Sequence, residues 1–237
     1  MTLQNKKIIV AGGSSGMGLA TAKMLQENGA LVTVTGRNRE KLGKAKLLGL
    51  STAQIDSSNV ASLEKFFASQ GNIDHLVIAV SGGKGMGNFK ELSLDDLRTG
   101  FEEKFWAQLY TLKAALPYLN SKGSVTLITA ISATAKFPGT SGLAAINGAL
   151  EIMTPILAKE LKPLRVNAVS PGVIDTGWWN FLGAAKEETF DSYAAQTLAG
   201  RIGQPDDIAH TIQFLVENGY MTGKVIGCDG GLSYGTK

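Results

Sequence analysis

The stretch AGGSSGMG at 11–18 spaces Gly12, Gly16 and Gly18 as G-x-x-x-G-x-G. Glycines at such spacing let a backbone approach a pyrophosphate, and a helix opening behind them offers free N–H groups and the positive end of its dipole. Ser14, Ser15 and Met17 lie between these glycines and belong to the same candidate phosphate site. The alternative is a tight turn that holds no ligand. Further on comes Gly36-Arg37-Asn38. A dinucleotide site for NAD places an acid at this point to bind the ribose 2′-hydroxyl. Here no carboxylate repels a 2′-phosphate, and Arg37 can pair with one. The pattern therefore favours NADP(H), against the plain alternative of a solvated arginine at a strand end. Asp56, followed by Ser57, suits either the adenine amino group or the cap of the next helix.

Other residues suit acid–base work. Lys104 has Gly100, Phe101, Ala107 and Gln108 as its helical neighbours, and none is acidic. It either snorkels to water beside the stripe Leu97, Phe101, Phe105, Leu112 and Leu116, or it points into a cleft. A partly desolvated ammonium in a cleft has a lowered pKa and can donate a proton. The hydroxyls of Thr129 and Ser132 are candidates to orient a carbonyl, with a strand-end turn as the alternative for Ser132. Asn147 can donate to a ribose hydroxyl or bond a neighbouring loop. The segment 175–203 carries Trp178, Trp179, Phe181, Phe190 and Tyr193, which suit an apolar or aromatic substrate or an oligomer contact. Tyr193 is a further candidate proton donor. Lys84, in the second glycine-rich loop SGGKGMG, either approaches a ligand or is solvated; His75 and His210 read as structural.

The elements that must position these residues alternate. Strands are expected at Lys7–Val10, Leu31–Thr35, Thr52–Ile55, His75–Val80, Ser124–Thr129, Arg165–Val169 and Lys224–Cys228. Helices are expected at Gly18–Asn28, Arg39–Leu48, Val60–Ser69, Leu94–Leu116, Gly142–Leu161 and Asp206–Asn218. Such alternation argues an α/β fold, a parallel sheet covered on both faces. No repeat or linker divides residues 1–237, so a single domain is expected. The irregular segment 175–203 is its candidate substrate lid.

Bulk composition excludes several classes. With 44% hydrophobic and 18% charged residues, the chain falls in the ordinary globular range. The net charge of +3 comes from scattered lysines and arginines, not from a basic stripe, so no nucleic-acid partner is expected. The one cysteine, Cys228, excludes an intrachain disulfide and a Cys-rich metal site and fits a cytoplasmic location. No signal-like segment and no apolar run of membrane length is evident, so no membrane association is expected.

AGGSSGMG, DHLVIAVSG at 74–82, VNAVSPGVIDT at 166–176 and TGKVIGCDGG at 222–231 together resemble the short-chain dehydrogenase/reductase family over nearly the whole length. The resemblance implies a Rossmann-type doubly wound sheet of seven parallel strands, in a dimer or tetramer. It implies a cofactor contacted by Val80, Ser81 and Gly82 after the fourth strand, with the Pro171, Gly172 and Val173 backbone and Thr176 after the sixth contacting its nicotinamide carboxamide and phosphates. It also implies a catalytic set of Asn, Ser, Tyr and Lys. At the matching positions stand Lys104, Ala130, Leu143 and Asn147. Leucine cannot donate a proton, so the family's carbonyl mechanism does not carry over. The expectation is an NADP(H)-dependent oxidoreductase with a rearranged set centred on Lys104 and acting on a small apolar or aromatic carbonyl or alcohol. The alternatives are an NADP(H)-binding protein without turnover, and a non-redox isomerase or lyase.

Overall fold

The structure, a computed structural model, describes residues 2–234. Its strands are β1 (Lys7–Ala11), β2 (Leu31–Gly36), β3 (Ser51–Gln54), β4 (Ile73–Ile78), β5 (Leu119–Ile128), β6 (Arg165–Pro171) and β7 (Val225–Cys228). They form one seven-stranded sheet in the order β3-β2-β1-β4-β5-β6-β7, and every pairing is parallel. The helices that follow the first four strands are α1 (Gly16–Glu27), α2 (Arg39–Leu47), α3 (Val60–Gln70) and α4 (Leu94–Gly100).

After them come α5 (Ala107–Ala115), α6 (Ser132–Ala135), α7 (Ser141–Glu160), α8 (Lys186–Gln196) and α9 (Pro205–Glu217). The expected fold class is therefore the observed one. Helices cover both faces, so strands such as KIIVA are apolar throughout. Ile8 and Val10 pack with Leu25 of α1, Leu42 of α2 and Ile208 of α9. On the other face, Ile9 and Ala11 pack with Phe67 of α3 and Leu112 of α5. The strand order reverses at β1, so the crevice between the ends of β1 and β4 is where such a sheet accepts a ligand.

Three elements depart from expectation. The helix over 94–116 is not continuous: Phe101–Trp106 between α4 and α5 is a π-helical segment. Such widened turns insert an extra residue and re-aim side chains, often at functional sites. The segment 175–203 is not irregular. Gly177–Ala185 is 3₁₀-helical with a break at Gly183 (φ 54°, ψ −126°), and α8 follows directly. Finally, α7 is an apolar run of membrane length that the sequence reading overlooked, 20 residues with a mean hydropathy of 1.3 over its most apolar window. In this fold only one face of it is buried, through Gly142, Ile146, Asn147, Leu150 and Thr154.

Candidate active site

One cavity of about 880 Å³ runs from the glycine loop to the Trp178–Tyr193 segment, within the range of small-molecule sites. At its first end, Gly12 has φ +78°, and a Cβ there would lie 2.7 Å from the Ala79 carbonyl. A Cβ on Gly18 would lie 2.5 Å from the Gly12 oxygen. Both positions therefore need glycine for close packing of loop, helix and strand. Ser15, the N-cap of α1, makes no side-chain cap bond, and the first turn holds no acid. By contrast α2, α3 and α4 are capped by Asn38, Asn59 and Ser93. The open N-terminus of α1 at the cavity thus suits an anionic group such as a pyrophosphate. Across from it, a Cβ on Gly16 would lie 3.4 Å from the Thr176 methyl.

Arg37 is exposed and lines the cavity, and so does Lys41 one turn into α2. The sequence reading passed over Lys41, although it follows Arg37 at i+4. The Asn38 side-chain oxygen accepts from the Lys41 N–H at 2.9 Å, which leaves its NH₂ group and one lone pair for a ligand. Asp56 does not cap α3, because Asn59 does. Its Oδ1 accepts from Ser58 N at 2.9 Å and Ser58 Oγ at 2.8 Å. The backbone bond from Ser58 is the main reason its carboxyl lies below the ordinary range. Ser57 beside it is buried and lines the cavity.

Val80, Ser81 and Gly82 form the cavity edge after β4. The Val80 carbonyl accepts from Gln108, and the Gly82 carbonyl accepts from Trp178 Nε1 at 3.1 Å, which ties the 177–185 segment across the opening. Opposite, Pro171, Gly172, Val173 and Thr176 line the wall. The Gly172 N–H already donates to Cys228 O at 3.0 Å, and the Pro171 and Val173 carbonyls accept from Ile131 and Gly203. Of these groups the Gly172 N–H is committed, while the Pro171 and Val173 carbonyls each keep a second lone pair for a ligand.

The π segment turns Lys104 inward. Its side chain is buried, 8% exposed, and Nζ donates to the Thr129 carbonyl at 3.0 Å. Of the two expectations for this lysine, the cleft applies and the snorkel does not. Burial pushes its ammonium down to about 8, while the nearby Glu151 charge opposes that shift. Thr129 is not the expected carbonyl-orienting hydroxyl. Its Oγ1 lies 2.8 Å from Glu151 Oε1 and 3.1 Å from Val169 O, so its proton is committed inside the protein. Ser132, at the start of α6, accepts from Asn147 Nδ2 at 3.1 Å and keeps its own proton to give. Asn147 Nδ2 also donates to Leu143 O at 2.8 Å, and its Oδ1 is buried without a partner. Asn147 as placed therefore has no spare donor for a ribose hydroxyl. Ala130 and Leu143 line the same wall, and Tyr193 is the one tyrosine among the described residues that does so.

The family model described as enoyl-(acyl carrier protein) reductase matches residues 11–233. A short-chain dehydrogenase/reductase of Stachybotrys chlorohalonatus is 31% identical, covering 97% of this chain and 98% of its own. The 3-oxoacyl-(acyl-carrier-protein) reductase of Chlamydia pneumoniae is 32% identical and 99% covered on both sides. A small-chain dehydrogenase solved in complex with NADPH superposes with a TM-score of 0.86 at 30% identity, covering 98% of this chain and 100% of that one. The chain belongs to the short-chain dehydrogenase/reductase family.

In this short-chain dehydrogenase/reductase the sequence reading missed Glu151. It follows Leu143 and Asn147 at steps of four, so the three share one face of α7. That spacing was the available signal. Lys84 is ion-paired with Asp96 at 3.3 Å, on the cavity rim. His75 is buried against Ser124 Oγ at 2.8 Å, and burial pushes its imidazole down to about 4. His210 bonds the Asp206 carbonyl on the α9 surface. Trp178, Trp179 and Tyr193 face the cavity, whereas Phe181 is 56% exposed. Phe137 joins them through an edge contact with Tyr193, a partner that lies outside 175–203.

Proposed function

We propose that this protein is an NADP(H)-dependent oxidoreductase that reduces a small apolar or aromatic carbonyl compound, with Lys104 as proton donor. The observation that carries this reading is a buried ammonium on the wall of a cavity whose other end is an anion-suited helix terminus beside Arg37. NADP(H) fits that end: the open N-terminus of α1 suits the pyrophosphate, and Arg37 with Lys41 suits a 2′-phosphate. The NADPH complex of the 30% identical dehydrogenase supports this choice.

The bound cofactor would supply the hydride. Lys104 would hold a proton at Nζ for the developing alkoxide, and Ser132 Oγ would orient the carbonyl. Trp178, Trp179, Phe137 and Tyr193 would supply the apolar walls, with the 175–203 segment as lid. The outer face of α7, where Gly148 is open and Ile152 and Ile156 are 69% and 50% exposed, would be covered by a second copy.

Fluorescence titration with NADPH and NADH, followed by a screen of carbonyl, enone and imine substrates with deuterated NADPH, tests the reading. Deuterium in a product supports it. Equal affinity for the two cofactors removes the role of Arg37. Tight NADPH binding without transfer to any substrate favours a second reading, a cofactor-binding protein without turnover. That reading draws on the apolar Leu143 and Ala130 at the catalytic wall.

A further inference from the structure

We propose that Glu151 is the positioning residue that holds Lys104 in place and charged at the cavity wall; this rests on the reading of Lys104 as the proton donor. Glu151 does not line the cavity. Its Oε1 accepts two hydroxyls from neighbouring strand ends, Thr129 and Ser170, each at 2.8 Å. Thr129 is thereby a two-sided bridge: its side chain bonds Glu151, and its carbonyl accepts from Lys104 Nζ. Its own N–H is locked to the Val169 carbonyl of β6. A carboxylate anchored in this way fixes the strand end that offers Lys104 its acceptor.

Among the described residues no other charge is placed to do this. On the π segment itself, Glu103 is committed to the Gly83 N–H, and Glu102 precedes it on the cavity rim. On α4, Asp96 is paired with Lys84 and Asp95 with Arg98. On α5 the charge is the exposed Lys113, and on α7 the others are Lys159 and Glu160 at the far end. Burial alone drives the Lys104 ammonium toward neutrality, and the Glu151 charge acts against it. The family position that normally holds a lysine is Asn147, one turn before Glu151.

The test follows the Lys104 side chain itself. In the labelled intact protein, the lysine Cε–Hε NMR signals are titrated with pH, and K104M assigns the Lys104 signal. Glu151→Gln keeps an acceptor oxygen and removes the charge. It should lower the Lys104 midpoint by about one pH unit, with Glu151→Asp restoring it. The alkaline limb of turnover should move by the same amount. Should E151Q fail to fold, Ser170→Ala and Thr129→Val, which loosen the anchor and leave the charge, should lower the midpoint by less. An unmoved Lys104 midpoint in a folded E151Q, or in both anchor variants, overturns the proposal. Full turnover by K104M instead removes Lys104 as proton donor and leaves the Glu151 coupling to be judged by its own titration.

Discussion

Replacing Lys104 by methionine should make the protein more stable and much less active. Burial lowers the Lys104 ammonium from 10.5 to about 8, and at 1.36 kcal/mol per pH unit the folded state bears a cost of about 3 kcal/mol at neutral pH. Methionine fills a similar volume without that cost. It forfeits the hydrogen bond to the Thr129 carbonyl, worth about 1.5 kcal/mol. The net gain is on the order of 1–2 kcal/mol, a rise in Tm of about 2–8 °C for a domain of this size. Below pH 8 both folded and unfolded wild type carry the proton. Between pH 8 and 10.5 the folded state has released it and the unfolded state has not, so wild-type stability should climb with pH in that window relative to K104M. Urea unfolding of both proteins from pH 7 to 10.5 measures this slope, and turnover should fall about 10²–10⁴-fold with loss of a general acid. A K104M protein less stable than wild type at pH 7, with parallel pH dependence, refutes the claim of a buried charged lysine.

Burial also holds His75 at about 4, well below 6.5. The unfolded chain therefore takes up a proton first as pH falls through 6.5. About 3 kcal/mol of stability should be lost by pH 4, and His75→Asn should flatten that acid limb in urea melts. Arg37→Asp should weaken NADPH binding about 10–100-fold by titration and leave NADH binding unchanged or stronger, since a carboxylate repels a 2′-phosphate and accepts from a ribose hydroxyl. Gly18→Ala should abolish binding of both cofactors, because its Cβ would lie 2.5 Å from the Gly12 oxygen in the loop that faces the phosphates. Trp178→Phe keeps an aromatic ring and removes the N–H bonded to Gly82, so it should raise KM for the substrate with little change in Tm.

The elements were legible because each strand of a doubly covered sheet is an apolar β-branched run and each glycine break is local. HLVIAV, LVTVT and RVNAV announce themselves by composition, although β4 begins and ends two residues earlier than its apolar run suggested. The 3.6-residue pattern over 94–116 was equally regular, and there it misled. A π-helical insertion shifts register by one residue, and the face it buries carries Gly100, Lys104, Ala107, Gln108 and Thr111, so that of the expected stripe only Leu112 is buried. The aromatic segment after Thr176 read as irregular because Gly177 and Gly183 and short polar stretches interrupt its pattern. Its helices form where Trp179 packs on Phe181, Phe190 and Tyr193.

The sequence by itself determined the strand segments, the glycine loop, the absence of an acid at Arg37 and the identities of the residues at the catalytic wall. All of these rest on contacts between near neighbours in the chain or on residue type alone. Tertiary structure decided which way each polar side chain faces and what already occupies it. Thr129 looked like a free hydroxyl until Glu151, 22 residues later, accepted its hydrogen bond, and Asn147 looked like a free donor until Ser132 and Leu143 used its NH₂ group. Lys104 could lie in water or in the cleft on sequence grounds alone. The π turn and a carbonyl 25 residues away put it in the cleft. Hydrogen-bond capacity is finite, and partners distant in the chain decide how much of it remains for a ligand.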